Sequence, residues 1–291
     1  MSREAVASAV VRRRASVPVV VLAGASVGLL GGLIGLGGAE FRLPLLIGLF
    51  GFGALHAVIL NKTMSLVVVA AALPVRMLSI PFSDMAEHWD VAANLLAGSL
   101  FGAWLGANWA TRMRTGALYQ VLSVLLVGIA VVLYASHQGE MGAIGLDGPA
   151  LAVAGVAAGL GIGVVASVMG VAGGELLIPT IVLLYGLDIK LAGSMSLAVS
   201  LPTMIVAFGR YSQDQSFSIL ATHRRFVVTM AAGSLVGSVI GGLLVDPVPE
   251  GILIPSLTAI LVVSAVKVWR HRGTDDDHAP GPGSQVASPE P

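Results

Sequence analysis

The chain has 291 residues, of which 56% are hydrophobic and only 11% charged. A soluble domain carries roughly 25% charged residues, so too few polar side chains remain here to cover a water-facing surface, and lipid must be the solvent for most of it. Basic and acidic residues balance to zero net charge, which gives no reason to expect a nucleic-acid partner, and the absence of cysteine excludes disulfides, thiolate metal sites and thiol catalysis.

Residues 1–16 form a basic tail carrying Arg12-Arg13-Arg14. The apolar run that follows is too long for the core of a cleaved signal peptide and lacks a cleavage site, so it reads as an uncleaved first membrane segment. Val17 to Ile34 is long enough to cross a bilayer. A glycine break follows at 35–39, then a short apolar arm from Phe41 to about Gly53. Asn61-Lys62-Thr63 opens a segment that runs to Ile80, and residues 81–90 read as an acidic loop. Val91 to Ala110 and Gly116 to Ser136 are further spans, separated by Arg112 and Arg114. A polar linker occupies 137–150.

The second half repeats the plan. Leu151 to Met169 is apolar, residues 170–174 break it, and Glu175 to Gly186 is a second short arm. Leu191 to Gly209, Phe226 to Val245 and Gly251 to Trp269 are spans, with a polar loop at 210–225. Residues 271–291, with Asp275-Asp276-Asp277 and a Pro/Gly/Ser tail, read as disordered.

Three stretches recur in the same order. Gly35-Leu36-Gly37-Gly38-Ala39-Glu40-Phe41-Arg42-Leu43-Pro44 returns as Gly170-Val171-Ala172-Gly173-Gly174-Glu175-Leu176-Leu177-Ile178-Pro179. Thr63-Met64-Ser65-Leu66 returns as Ser194-Met195-Ser196-Leu197. The glycine-striped stretch at 97–106 returns at 232–241. Its glycines, every fourth residue, fit close packing of helix on helix. They make a homodimer plausible unless the faces are filled inside one chain.

Short basic loops stay cytoplasmic. Residues 12–14, 112–114, 210–225 and 267–272 are basic, whereas 81–90, 137–149 and 246–250 are not. These signs agree only if each broken segment enters and returns, which places Lys62 on the inner side. The expected fold is therefore an all-α integral membrane protein of two inverted repeats, 17–136 and 151–270. Each repeat is a broken, re-entrant helical hairpin plus three transmembrane helices, about ten helical segments in all, with both termini cytoplasmic. Such an architecture belongs to secondary transporters, whose sites lie where helices break between repeats.

A half-helix that starts at a glycine break offers free N–H groups and the positive end of its dipole, which favour an anion. Gly37, Gly38, Gly173 and Gly174 are thus candidate anion-binding positions, with donors from Asn61, Thr63, Ser65, Ser194 and Ser196. Those last residues equally suit plain helix caps. Glu40 and Glu175 are candidate coupling groups, because burial favours their protonated form, or else each caps its own helix start. Arg42, whose counterpart is Leu177, could bind an anionic solute, pair with Glu40, or snorkel to the surface; the ion pair is slightly favoured. Arg76 is a further candidate for attracting an anion. The six histidines form no metal-spaced pair, no nucleotide-binding glycine loop is complete, and no histidine lies inside an expected span, so no metal, cofactor or enzyme activity is expected.

The Gly-x-Gly-Gly-x-x-x-x-x-Pro stretch, the Thr/Ser-x-Ser-Leu segment and the glycine-striped helix resemble the sulfite exporter TauE/SafE family of membrane transporters. The resemblance covers about residues 17–270 in both halves, with Ala172 replacing a glycine in the second signature. It implies a carrier in the bacterial inner membrane for small anions such as sulfite or sulfoacetate, coupled to an ion gradient and working by alternating access. A passive anion channel of the same architecture is the alternative.

Overall fold

The computed structural model describes residues 16–34, 38–79, 82–138, 145–243 and 250–276. Every regular element among them is a helix. In chain order these are α1 (Val17–Ile34), α2 (Ala39–Gly48), α3 (Ala54–Ser79), α4 (Phe82–Glu87), α5 (Trp89–Arg112), α6 (Thr115–Gln138), α7 (Gly148–Met169), α8 (Gly174–Tyr185), α9 (Ile189–Tyr211), α10 (Ile219–Thr222), α11 (Arg224–Leu243) and α12 (Glu250–Asp276). A 3-10 turn, Gln215–Ser218, precedes α10. On length and composition α3, α6, α7 and α9 can each cross a membrane. Helices α5 and α11, of 24 and 20 residues, also have spanning length.

Four expectations change. Helix α3 starts at Ala54, so Asn61-Lys62-Thr63 lies two turns inside it and caps nothing. Residues 82–87, read as loop, form α4, and the loop at 210–225 contains α10. Helix α12 runs to Asp276, so residues 271–276 are helical rather than disordered. His56, expected between spans, sits in the first turn of α3, where it is exposed. Most of the basic tail, linker residues 139–144 and the tail from 277 lie outside the described residues.

The halves pack reciprocally. Helix α1 lies on α11, and its counterpart α7 lies on α5; α6 pairs with α12 and α3 with α9. Glycine permits the two tightest contacts. A Cβ on Gly98 or Gly102 would collide with the carbonyl oxygens of Val156 or Leu160, and one on Gly159 or Gly163 with those of Leu95 or Ser99. Gly24, Gly28, Gly233 and Gly237 play the same part between α1 and α11. These glycines are thus taken up by packing within one chain.

Solvent preference is inverted relative to a soluble domain. Trp89, Phe101, Trp104, Val131, Val153, Val236 and Val263 are exposed, whereas Glu40, Arg42, Asn61, Lys62, Ser65, Ser99, Glu175, Ser194, Ser196 and Ser234 are buried. An apolar shell around a polar interior suits lipid outside and a functional centre inside.

Candidate functional site

The two glycine breaks meet at the centre of the molecule. Gly38 and Gly173 precede α2 and α8 in the left-handed region, at φ 70° and 87°, and Gly170 ends α7 at φ 71°. Only glycine takes that backbone freely. A Cβ on Gly38 would strike the Val27 carbonyl, and one on Gly170 the Val58 carbonyl. Neither short arm has a side-chain cap at its start, so first-turn N–H groups remain available. Pro44 and Pro179 lie four residues after the two glutamates. Lacking an N–H, they leave the Glu40 and Glu175 carbonyls without their intrahelical bonds.

Helix α3 ties the breaks together. Asn61 Nδ2 donates to Ala39 O at 3.0 Å, beside the first break, and to Met169 O at 3.3 Å, before the second. Lys62 Nζ donates to Ala166 O at 3.0 Å and Val171 O at 2.7 Å. Ser65 Oγ donates to Gly170 O at 3.4 Å. Three side chains of the first half thus serve the main chain around the second break. Lys62 is fully buried here and not at the inner surface, which corrects its use as a marker of the cytoplasmic side.

Glu40 and Glu175 sit in the first turns of the two short arms, both buried, with their carboxyls facing each other. Among the described residues none of their four oxygens meets a donor in hydrogen-bond geometry. A proton on either one would let the two bond to each other.

Arg42 is fully buried and does not snorkel. The expected ion pair with Glu40 does not form: Nη1 donates to Asn61 Oδ1 at 3.4 Å and to Ser65 Oγ at 3.2 Å. Two residues apart on a helix start, the Arg42 and Glu40 side chains diverge. Nε and Nη2 have no partner among the described residues. These two atoms form one edge of the guanidinium, the fork that receives two oxygens of an oxyanion side by side.

The other sequence candidates separate clearly. Gly38, Gly173 and Gly174 lie at the breaks, and Gly37 lies outside the described residues, as does the Arg76 side chain. Thr63, Ser194 and Ser196 bond carbonyls of their own helices, Ile59 O, Lys190 O and Gly193 O, so no bond draws them into the centre. Lys62 was not among the candidates; a lone lysine within an apolar run was the available signal. Ser99 and Thr203, bonded at 2.8 Å between α5 and α9, were likewise missed.

A family model described as Sulfite exporter TauE/SafE matches residues 2–133 and 86–268. No protein of curated function and no solved structure matches the chain.

Proposed function

Because the chain belongs to the sulfite exporter TauE/SafE family, membrane transporters of sulfur anions, we propose that it is a proton-coupled secondary carrier of small oxyanions. Sulfite, sulfoacetate and related sulfur-containing or organic acid anions are the substrate class. The observation that carries this reading is the buried, unpartnered Nε/Nη2 edge of Arg42 beside two helix breaks. A guanidinium edge with nothing to bind in a low-dielectric interior is destabilising by itself, and a two-oxygen anion supplies the missing acceptors.

The carboxyl pair supplies the coupling. Two facing buried carboxylates repel each other when both are ionised, and a proton shared between Glu40 and Glu175 would relieve that repulsion. A proton there lowers the negative charge beside Arg42, so proton and anion binding favour each other. The two halves act as inverted repeats, a reading supported by reciprocal packing of α1 on α11 and α7 on α5. Rocking of one half against the other exposes the breaks to each side in turn. Both termini are placed on the cytoplasmic side of a bacterial inner membrane.

Counterflow in proteoliposomes tests the proposal. Labelled sulfite or sulfoacetate should accumulate transiently against unlabelled anion inside, and an inward proton gradient should drive net uptake. A conductance that equilibrates the label without counterflow would mark a passive channel and overturn the carrier.

A further inference from the structure

We propose that the Lys62 ammonium occupies a cation site built from main-chain carbonyls at the second break, so that the protein carries its own ion there and needs no alkali metal. The inference goes beyond the oxyanion reading, and only its uptake arm rests on that reading.

The site is made by the end of α7. Its last turn and the break present the carbonyls of Met169, Gly170 and Val171 past the end of the helical ladder, beside Ala166 O, which also accepts the Gly170 and Val171 N–H groups. The C-terminal end of a helix is also the negative end of its dipole, where a cation is favoured. Gly170 turns the chain at φ 71° directly against α3, where a Cβ would strike Val58 O. That contact brings residues 58–65 over the four oxygens.

Lys62 Nζ lies 3.0 Å from Ala166 O and 2.7 Å from Val171 O. Asn61 and Ser65 supply neutral donors to the two carbonyls between them, Met169 O and Gly170 O. The ammonium reaches no carboxylate within ion-pair distance among the described residues; Glu175 acts on it only from farther away. A fully buried ammonium held by carbonyls alone is placed as a bound metal cation would be. Broken helices of membrane carriers use such unwound carbonyls and helix C-termini to hold ions. At the corresponding position of the second half stands Gly193, read from the Thr63-Met64-Ser65-Leu66 and Ser194-Met195-Ser196-Leu197 match. The ammonium is therefore a property of one break alone.

Removing it should open the site to a small free cation. Thermal unfolding of purified wild type and Lys62→Ala would be compared in sodium, potassium, ammonium and choline chloride at one ionic strength. Wild type should unfold at the same temperature in all four salts. Lys62→Ala should unfold lowest in choline and gain roughly 4 °C or more in at least one of the small cations, by mass action on the folded state. Equal instability of Lys62→Ala in all four salts would overturn the proposal and leave Lys62 as an anchor between α3 and α7. Proteoliposome uptake by wild type provides the second arm, which survives even if the variant folds poorly. Replacing sodium and potassium with choline on both sides should leave the rate unchanged, and a fall of tenfold or more would show that a metal cation binds elsewhere and that Lys62 does not replace it.

Discussion

Replacement of Gly98 by alanine tests the packing of α5 on α7 that brings the two halves together. An added Cβ would meet the Val156 carbonyl oxygen inside van der Waals contact, with Leu160 N at 2.6 Å and Val156 C at 2.9 Å. All three are main-chain atoms, so no side chain can swing away. The helices must separate by roughly 1 Å to restore ordinary contact. Overpacking of this kind destabilises by about 1–3 kcal/mol, which lowers the unfolding midpoint by roughly 2–12 °C for a chain of this size. Gly161 supplies the matched control. It lies on the same helix as Val156, is exposed, and a Cβ there would meet nothing within 4 Å. Alanine at Gly161 should leave the midpoint unchanged or raise it, since glycine in a helix interior is about 1 kcal/mol worse than alanine. Both variants would be unfolded thermally in the same detergent and followed by helical circular dichroism. A Gly98→Ala midpoint equal to wild type, or a Gly161→Ala loss as large as that of Gly98→Ala, would refute backbone contact between α5 and α7.

Arg42→Lys should weaken oxyanion binding about tenfold to a hundredfold, because a point ammonium replaces a two-donor edge and loses one charge-assisted hydrogen bond of about 1.5–3 kcal/mol; ligand-dependent thermal shift with sulfite and sulfoacetate measures it. Glu40→Gln should reduce proton-driven uphill uptake more than anion exchange and flatten the pH dependence of uptake, and equal loss of both activities with a lower midpoint would return Glu40 to a structural part. Ser99→Ala should lower stability by about 1 kcal/mol through its lost bond to Thr203. Ser234→Ala, at the duplicated position, should be neutral or stabilising, since the buried Ser234 hydroxyl has no partner among the described residues; thermal unfolding of the two side by side decides it.

Local backbone chemistry was readable in the sequence, and tertiary polar contacts were not. The glycine breaks and the bounds of α1 follow from residues that act on their own segment, which is why Val17–Ile34 was recovered to the residue. Glu40 and Glu175 were also visible, because a carboxylate in an apolar run announces itself. The placement of Asn61-Lys62-Thr63 failed for a physical reason. A lysine two turns inside a membrane helix is tolerable only if something neutralises its donors. The carbonyls that do so, Ala166 O and Val171 O, lie more than 100 positions away in the chain. Seen from the sequence alone, those three adjacent polar residues looked like a helix start. The Arg42–Glu40 pairing failed similarly: sequence proximity suggested it, while the acceptors actually used, Asn61 and Ser65, come from another helix.

The same contacts explain why the two halves have not stayed alike. Both contain a glycine break, a glutamate and a proline four residues on, features that act through the backbone or meet their own counterpart. Arg42, Asn61 and Lys62 have Leu177, Ala192 and Gly193 as their counterparts. At a centre shared by both halves, a duplicated Arg42 would bring a second guanidinium into a buried space already holding Lys62. Like charges there would repel with no further carboxyls to offset them. On the proposed reading, a single guanidinium edge instead defines one anion position. A pair of facing carboxyls can relieve its repulsion by sharing a proton, whereas guanidinium and ammonium groups have no such arrangement. On the proposed reading, cations present in one half alone are what let a repeated scaffold hold one anion site.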